Sequence, residues 1–474
     1  MRRSTAPTPS STGALAAAVS GGSRGPRRRG PRGLSAANNG GLLPGGLAIV
    51  LVLVNVGRLH EMLGNSLGGL PLGKITLVLG GLTIALRPAL HRQLRAFELP
   101  QGRAFLFLSV AVCLSVPFSL YRSASLLVAR DFLIANLATV VLIVCFVRQP
   151  ADLERLMKAF SVSVLVIGLV MISGGGSTGV DNGTQRMYIA GTYDPNDVAL
   201  VAAVSLPGSL TLLRNRSRMW KLLGMIASVM AIVITVLTVS RGGVIAVAVT
   251  VLAVTFSGRS AFPKLLRVLL IPVLAVALVF APENFTARVE TLWRPSEDYN
   301  VTARSGRLQI WERGFSYMAD RPLTGVGVGQ FGTAEGGWAE SNGLEEGFKW
   351  SAPHNMYVEV GAELGFLGLL AFVWTLFPNL THPRTIARRS HDMDDGLLQQ
   401  AATLRLATVA FLVGGTFLSA GLSPLAMFLA TCGIIVSRFS RELIPNTNHP
   451  QEHGQRCTIA LESSAARTAR PGIH

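Results

Sequence analysis

Apolar runs recur along nearly the whole chain, each closed by a short polar or basic stretch. Most reach about 16–20 residues, which approaches or meets the length needed to cross a bilayer's ~30 Å hydrocarbon core. The pattern predicts twelve spans, at about 42–58, 69–87, 104–120, 132–147, 157–173, 197–213, 220–239, 242–257, 265–281, 355–377, 401–420 and 422–437. The fold class is therefore an all-α polytopic membrane protein. Its expected parts are a disordered basic tail (1–41), transmembrane helices 1–9 (42–281), one long external loop (282–353), transmembrane helices 10–12 (354–437) and a C-terminal tail (438–474). Within the loop, Leu308, Trp311, Phe315 and Met318 have helical spacing, which predicts an amphipathic helix over 304–320 lying on the membrane surface.

Composition changes this picture little. The chain has 474 residues, a mean hydropathy of +0.44 and 49% hydrophobic residues. Its formal charge of +17 would suit nucleic acid in a soluble protein, but in a membrane protein the placement of the charge decides. With the N-terminus inside, thirty of the 43 Lys and Arg fall in cytoplasmic segments, and seven of the remaining thirteen lie in the long loop. This obeys the positive-inside rule, so the protein is expected in the inner or plasma membrane with the 1–41 and 438–474 tails in the cytoplasm, in contact with membrane lipid and with no nucleic-acid partner. Cys113, Cys145 and Cys432 lie in apolar runs and Cys457 in the C-terminal tail, so no disulfide framework or metal site is expected.

That topology brings three polar stretches to the outer side. The loop at 174–196 holds Arg186 and Tyr193-Asp-Pro-Asn-Asp197, in which Asn196 or Asp197 is expected to cap the sixth span. Ser240-Arg-Gly-Gly243 reads as a tight turn made by Gly242 and Gly243, with Arg241 beside the N–H donors of a helix N-terminus, which is an anion site. The long loop carries Arg304 and Arg307, three apart and so on one helical face, and leads to His354. Pro353 suits the start of the tenth span, which would put His354 where a membrane helix meets water. Imidazole titrates near neutrality and fits a general base, whereas arginine stays charged and fits a diphosphate. Supporting roles fall to Asn355, Tyr357 and Glu363, a carboxyl inside the span that orders the bundle or assists His354. Gly361 and Gly365 form a GxxxG that lets a neighbouring helix approach closely. Gly325-Val-Gly-Val-Gly329 lacks a βαβ context and reads as a mobile loop. The DxD within His391-Asp-Met-Asp-Asp395 falls on the cytoplasmic side and reads as a solvated acidic loop.

Taken together, Gly191-Thr-Tyr-Asp-Pro-Asn-Asp197, Ser240-Arg-Gly-Gly243, Arg304 with Leu308, and His354-Asn-Met-Tyr with Glu363-Leu-Gly365 resemble the O-antigen ligase and polymerase family of bacterial cell-envelope polysaccharide biosynthesis. The resemblance covers about residues 185–370. It implies a GT-C-type, metal-independent, inverting glycosyltransferase with no cofactor. The donor would be an undecaprenyl-diphosphate-linked glycan and the acceptor another glycan or lipid-linked sugar, with flippase and chain-length proteins of the pathway as partners. It implies that Arg186, Arg241 and Arg304 bind the diphosphate and that His354 deprotonates or orients the acceptor hydroxyl. Arg307 has no counterpart in the family pattern and is added on its spacing.

The rival reading is a transporter or flippase of the same lipid-linked glycans. It expects basic residues lining a path through the spans and helices broken at mid-membrane, neither of which the sequence pattern displays.

Overall fold

The structure is a computed structural model that describes residues 42–62, 70–181, 184–189, 191–256, 303, 306–344, 350–389 and 395–442. The N-terminal tail, the expected ninth span, Arg304, the DxD aspartates Asp392 and Asp394, and Cys457 lie outside the described residues.

The described chain is almost wholly helical. Helix α1 (Leu42–Leu51) runs on as a π-helical turn (Val52–Val56) and is followed by the short α2 (Leu59–Met62). Helix α3 (Leu72–Leu86) gives way at Arg87 to a 3-10 segment, Pro88–Glu98, bent from it by 105°. Next come α4 (Pro100–Ser115), then α5 (Arg122–Asp131) continued through a π-helical stretch (Phe132–Leu137) into α6 (Ala138–Phe146), then α7 (Pro150–Val170). A hairpin of β1 (Ser177–Asp181) and β2 (Thr184–Tyr188) sets Gly179 opposite Arg186. Helices α8 (Pro195–Leu212), α9 (Arg218–Leu237) and α10 (Arg241–Phe256) follow. Beyond them lie α11 (Arg307–Asp320), α12 (Phe331–Ser341), α13 (Met356–Leu376), α14 (Pro378–Arg389), α15 (Asp395–Gly414) and α16 (Pro424–Glu442). Proline stands at the first turn of α4, α7 and α8, where its missing N–H costs nothing and its fixed φ suits the helix.

Helix α8 is apolar and buried on every side, among α9, α10 and α15, so it forms the centre of the bundle. The outward faces of several other helices are also apolar: Val78, Leu86, Phe107, Leu114, Val229 and Trp374 are exposed. Such a mantle suits lipid, not water. Eleven of the twelve expected spans fall on helices, and the ninth lies outside the described residues. Among the described residues, five helices are long and apolar enough to cross a membrane, or six if the bent pair at Arg87 is one span. Helices α4 and α10 have 16 residues each, roughly 24 Å at 1.5 Å per residue, short of the hydrocarbon core.

The structure is all-α as expected, with one short addition: the loop before α8 forms the β1–β2 pair. The long loop holds a second helix, α12, that its Gly-rich sequence hides. Helix α11 forms as expected, but it docks on α13: Ile310, Arg313 and Gly314 are buried, whereas Leu308 and Phe315 of the expected stripe are exposed. Helix α16 continues to Glu442, past the expected boundary at 437.

Helix α13 is also broken, against the expectation of unbroken spans. Gly365 has φ 72°, ψ −176°, so the two halves of the helix meet at a non-helical residue. The turn between α11 and α12 fills the break. Phe366 N donates to Pro322 O (2.7 Å), while Val326 N and Gly327 N donate to Ala362 O (2.8 Å) and Glu363 O (3.0 Å). Gly325, Gly327 and Gly329 all take positive φ, which lets this backbone lie flat on α13, so the segment expected to be mobile is bonded in place. The Glu363 carboxylate accepts from Gly329 N (2.8 Å) and Phe331 N (3.2 Å). Of the expected helix-packing pair, Gly361 faces Met318 of α11, and Gly365 faces the Pro322 carbonyl instead of a helix. A transporter's broken helices leave their free backbone groups to line a substrate cavity, but here protein backbone occupies the break.

A Cβ at position 365 would lie 2.5 Å from Pro322 O and would force positive φ on an L-residue, whereas nothing stands within 4 Å of a Cβ at 81. Gly365→Ala is therefore expected to destabilise the protein by on the order of 2 kcal/mol or more, and Gly81→Ala to change it by less than about 1 kcal/mol. Thermal midpoints of the two variants in the same detergent test this.

Candidate active site

The site is built from the polar ends of α1, α8, α10 and α13. At α8, Pro195 is the first helical residue and Asp194 is the N-cap, accepting from Asn196 N (2.7 Å) and Asp197 N (2.9 Å). The cap is therefore neither Asn196 nor Asp197. The Asn196 side chain instead links two loops, with its Oδ1 accepting from Arg186 Nη2 (2.7 Å) and from Ser240 Oγ (2.8 Å). Arg186 is buried and also donates from Nε to Thr238 O (3.0 Å), so its guanidinium fastens the β-hairpin to the turn that leads into α10.

That turn differs from the one expected. Gly242 and Gly243 are helical residues of α10, and the positive φ (49°) belongs to Val239. The glycines serve close packing: a Cβ on Gly243 would stand 2.5 Å from Ala199 Cβ of α8, and one on Gly242 would stand 2.7 Å from Phe417 Cβ. Ser240 Oγ accepts from Gly243 N (3.2 Å), which caps α10 and fixes Arg241 at its first position.

Phe417 belongs to the joint between α15 and α16, and this joint also reaches His354. His354 N donates to Ser419 Oγ (3.0 Å), and Gly421 N donates to Glu359 Oε2 (3.2 Å). Gly415 packs against Met356, and Tyr357 Oη donates to Leu412 O of α15 (3.0 Å). Helix α13 starts at Met356 and not at Pro353, because Asn355 is its cap and accepts from Tyr357 N (2.9 Å) and Val358 N (3.2 Å). Pro353 O instead accepts from Trp311 Nε1 of α11 (2.8 Å), so His354 sits on a short bend with φ 47°, held from both sides.

A fourth contributor, Arg58, escaped the sequence reading. It follows the π-helical end of α1 with φ 51°, pairs with Glu61, donates to Thr192 O, and stands 5.0 Å from the centroid of the Tyr193 ring. Burial raises the Tyr193 phenol above its ordinary range despite the nearby Arg58 charge, so it remains a donor, directed to Val56 O (3.4 Å). Its one sequence signal was its place at the outer edge of the first apolar run.

Arg58, Val239 and His354 are the non-glycine residues with positive φ among the described residues. Each flanks this site, and a β-branched residue in that region is strained. A chain of contacts thus runs from Arg186 through Asn196, Ser240 and α10 to Phe417, Ser419 and His354. Arg307 opens α11, and the Glu363 carboxylate bonds the loop at the break.

Helices of this length and exposure, with one polar end built from four of them, define a polytopic α-helical integral membrane protein. Residues 226–373, from within α9 to within α13, match the family described as O-Antigen ligase, a match that supports a likeness to the O-antigen ligases and polymerases over this segment. Arg241 and His354 lie inside the match, whereas Arg186, Asn196 and Ser419 contact it from outside. No curated protein matches the chain.

Asn196→Ala removes the acceptor shared by Arg186 and Ser240, a loss worth about 1–3 kcal/mol for a buried pair of donors. It is expected to lower the thermal midpoint, and Asn196→Asp, which keeps both acceptor positions, to restore most of it.

Proposed function

We propose that this protein transfers a glycan from a lipid-diphosphate donor, of the undecaprenyl type, to a sugar hydroxyl on the extracytoplasmic side. The family indicates O-antigen ligase- or polymerase-type activity, and one observation carries the finer reading. Backbone strain at Arg58, Val239 and His354 collects at the single polar end where Arg241 opens a helix and His354 is pinned between Trp311 and Ser419. Strained backbone held by its surroundings is a mark of a preorganised site.

In the proposed reaction, the His354 imidazole takes the proton of the acceptor hydroxyl. The acceptor oxygen forms a bond to the anomeric carbon from the face opposite the leaving group, so the configuration inverts. The bond from that carbon to the diphosphate oxygen breaks, and its electron pair leaves with the lipid diphosphate. Arg241, at the N-terminus of α10, binds that developing charge, with Arg304 as its counterpart from the long loop. Arg186, already bonded to Thr238 and Asn196, positions the turn that carries Arg241. Asn355 caps the helix behind the base, and Tyr357 ties that helix to α15.

His354→Ala is expected to cut glycan transfer by at least about 10²-fold at normal membrane abundance, as loss of a general base does. Arg241→Lys should lose most activity too, because an ammonium cannot bind oxygen pairs bidentately. Wild-type transfer should persist in excess EDTA, and loss restored by a divalent ion would overturn the metal-free step. Cells lacking the protein should accumulate single lipid-linked repeat units if it is a polymerase and full-length lipid-linked chains if it is a ligase; accumulation of neither would refute both.

A further inference from the structure

The α11–α12 pair carries a cleft that the transfer chemistry does not use. It encloses about 540 Å³ between the two helices and is lined by Gln309, Glu312, Arg313, Ser316, Trp338 and Asn342, among others. Trp338 also lines a second cleft of about 440 Å³, shared with Tyr317, Asp320, Thr333 and Ser341. One indole therefore lines both grooves.

A buried ion pair fixes that indole. Arg313 Nε and Nη2 donate to the Glu335 carboxylate (2.9 and 2.5 Å), Tyr317 Oη donates to Glu335 Oε1 (2.9 Å), and the Arg313 guanidinium lies 4.3 Å from the centroid of the Trp338 ring. Burial and then the Glu335 charge raise the Tyr317 phenol above its ordinary range, so it stays a donor. A second indole lies against the same helix: Trp350 is 67% exposed and packs on Gly336, where a Cβ would stand 2.5 Å from Trp350 Cε2. Trp350 lies four residues before His354.

We infer that this cleft binds a neutral oligosaccharide and holds the glycan chain as it runs toward His354, an inference that rests on the transferase reading above. Indoles offer a broad apolar face for the C–H face of a pyranose, and the amides and hydroxyls of Gln309, Asn342 and Ser316 match its hydroxyls. Charge argues against an anionic ligand. The Arg313 charge is matched by Glu335, which leaves the carboxylate of Glu312 at the cleft's edge. A cleft meant for phosphate would present the opposite sign.

The test uses the full chain in detergent and, as probe, the neutral oligosaccharide released by mild acid from the host cells' own lipid-linked glycan. Binding is read by tryptophan fluorescence and by saturation-transfer NMR. Trp338→Ala should weaken binding at least tenfold, and the surface changes Asn342→Ala and Gln309→Ala, which leave the ion pair intact, at least threefold. In transfer assays, the same variants should raise the KM for the glycan and leave kcat within twofold. His354→Ala should bind the probe as wild type does. Wild-type binding in all three cleft variants would overturn the inference while leaving the transferase reading standing. Normal transfer by His354→Ala, with the cleft variants still weakened, would overturn the transferase reading and leave a glycan-binding site. Tighter binding of a phosphorylated fragment than of the neutral one would also overturn the inference.

Discussion

A helix inside lipid has no water to bond the amides and carbonyls that a break releases. Helix α13 breaks at Gly365, and the requirement falls on the turn between α11 and α12, whose backbone bonds to Ala362, Glu363 and Phe366. The rest of the extramembrane architecture follows from that obligation. The turn cannot leave the break, so α11 must lie along the first half of α13, where Trp311 reaches Pro353 and Arg313 reaches Glu335. The bend that carries His354 is consequently held by a neighbour anchored in the membrane helix, not by a loose loop.

The opposite wall is held by side chains. Asn196 accepts from a guanidinium and a hydroxyl at once, and Arg186 spans the hairpin and the end of α9. Strain at Val239 then aims the start of α10 toward the joint at Phe417. Both walls meet at that joint, between α15 and α16, which touches α10 with one residue and the His354 bend with another. A site assembled from segments so distant in sequence needs such a common contact, because no single element spans it.

Hydrophobic periodicity made the spans legible, since burial of apolar length in lipid is a local property of sequence. Arg241 and His354 were legible for a related reason: each stands where an apolar run ends, and their residue types suit charge binding and proton transfer. The break at Gly365 was not, because a glycine in an apolar run reads equally as a packing contact, and only the distant Pro322 decides between the two. The same holds for Val239, whose positive φ is imposed by its surroundings while the adjacent glycines seemed the natural turn residues. Helix α12 was hidden by Gly332, Gly336 and Gly337, which weaken helix propensity that tertiary packing on α11 and α13 restores. Arg58 and Ser419 carry no local motif and are identified only by what they touch.

The interruption in α13 has a mechanical consequence. The α11–α12 turn is bonded to both halves, to Ala362 and Glu363 before the interruption and to Phe366 after it, and the second half runs on toward α14. The turn thus splices the two halves together, so the helix that begins beside His354 is carried across its own interruption by backbone borrowed from elsewhere in the chain.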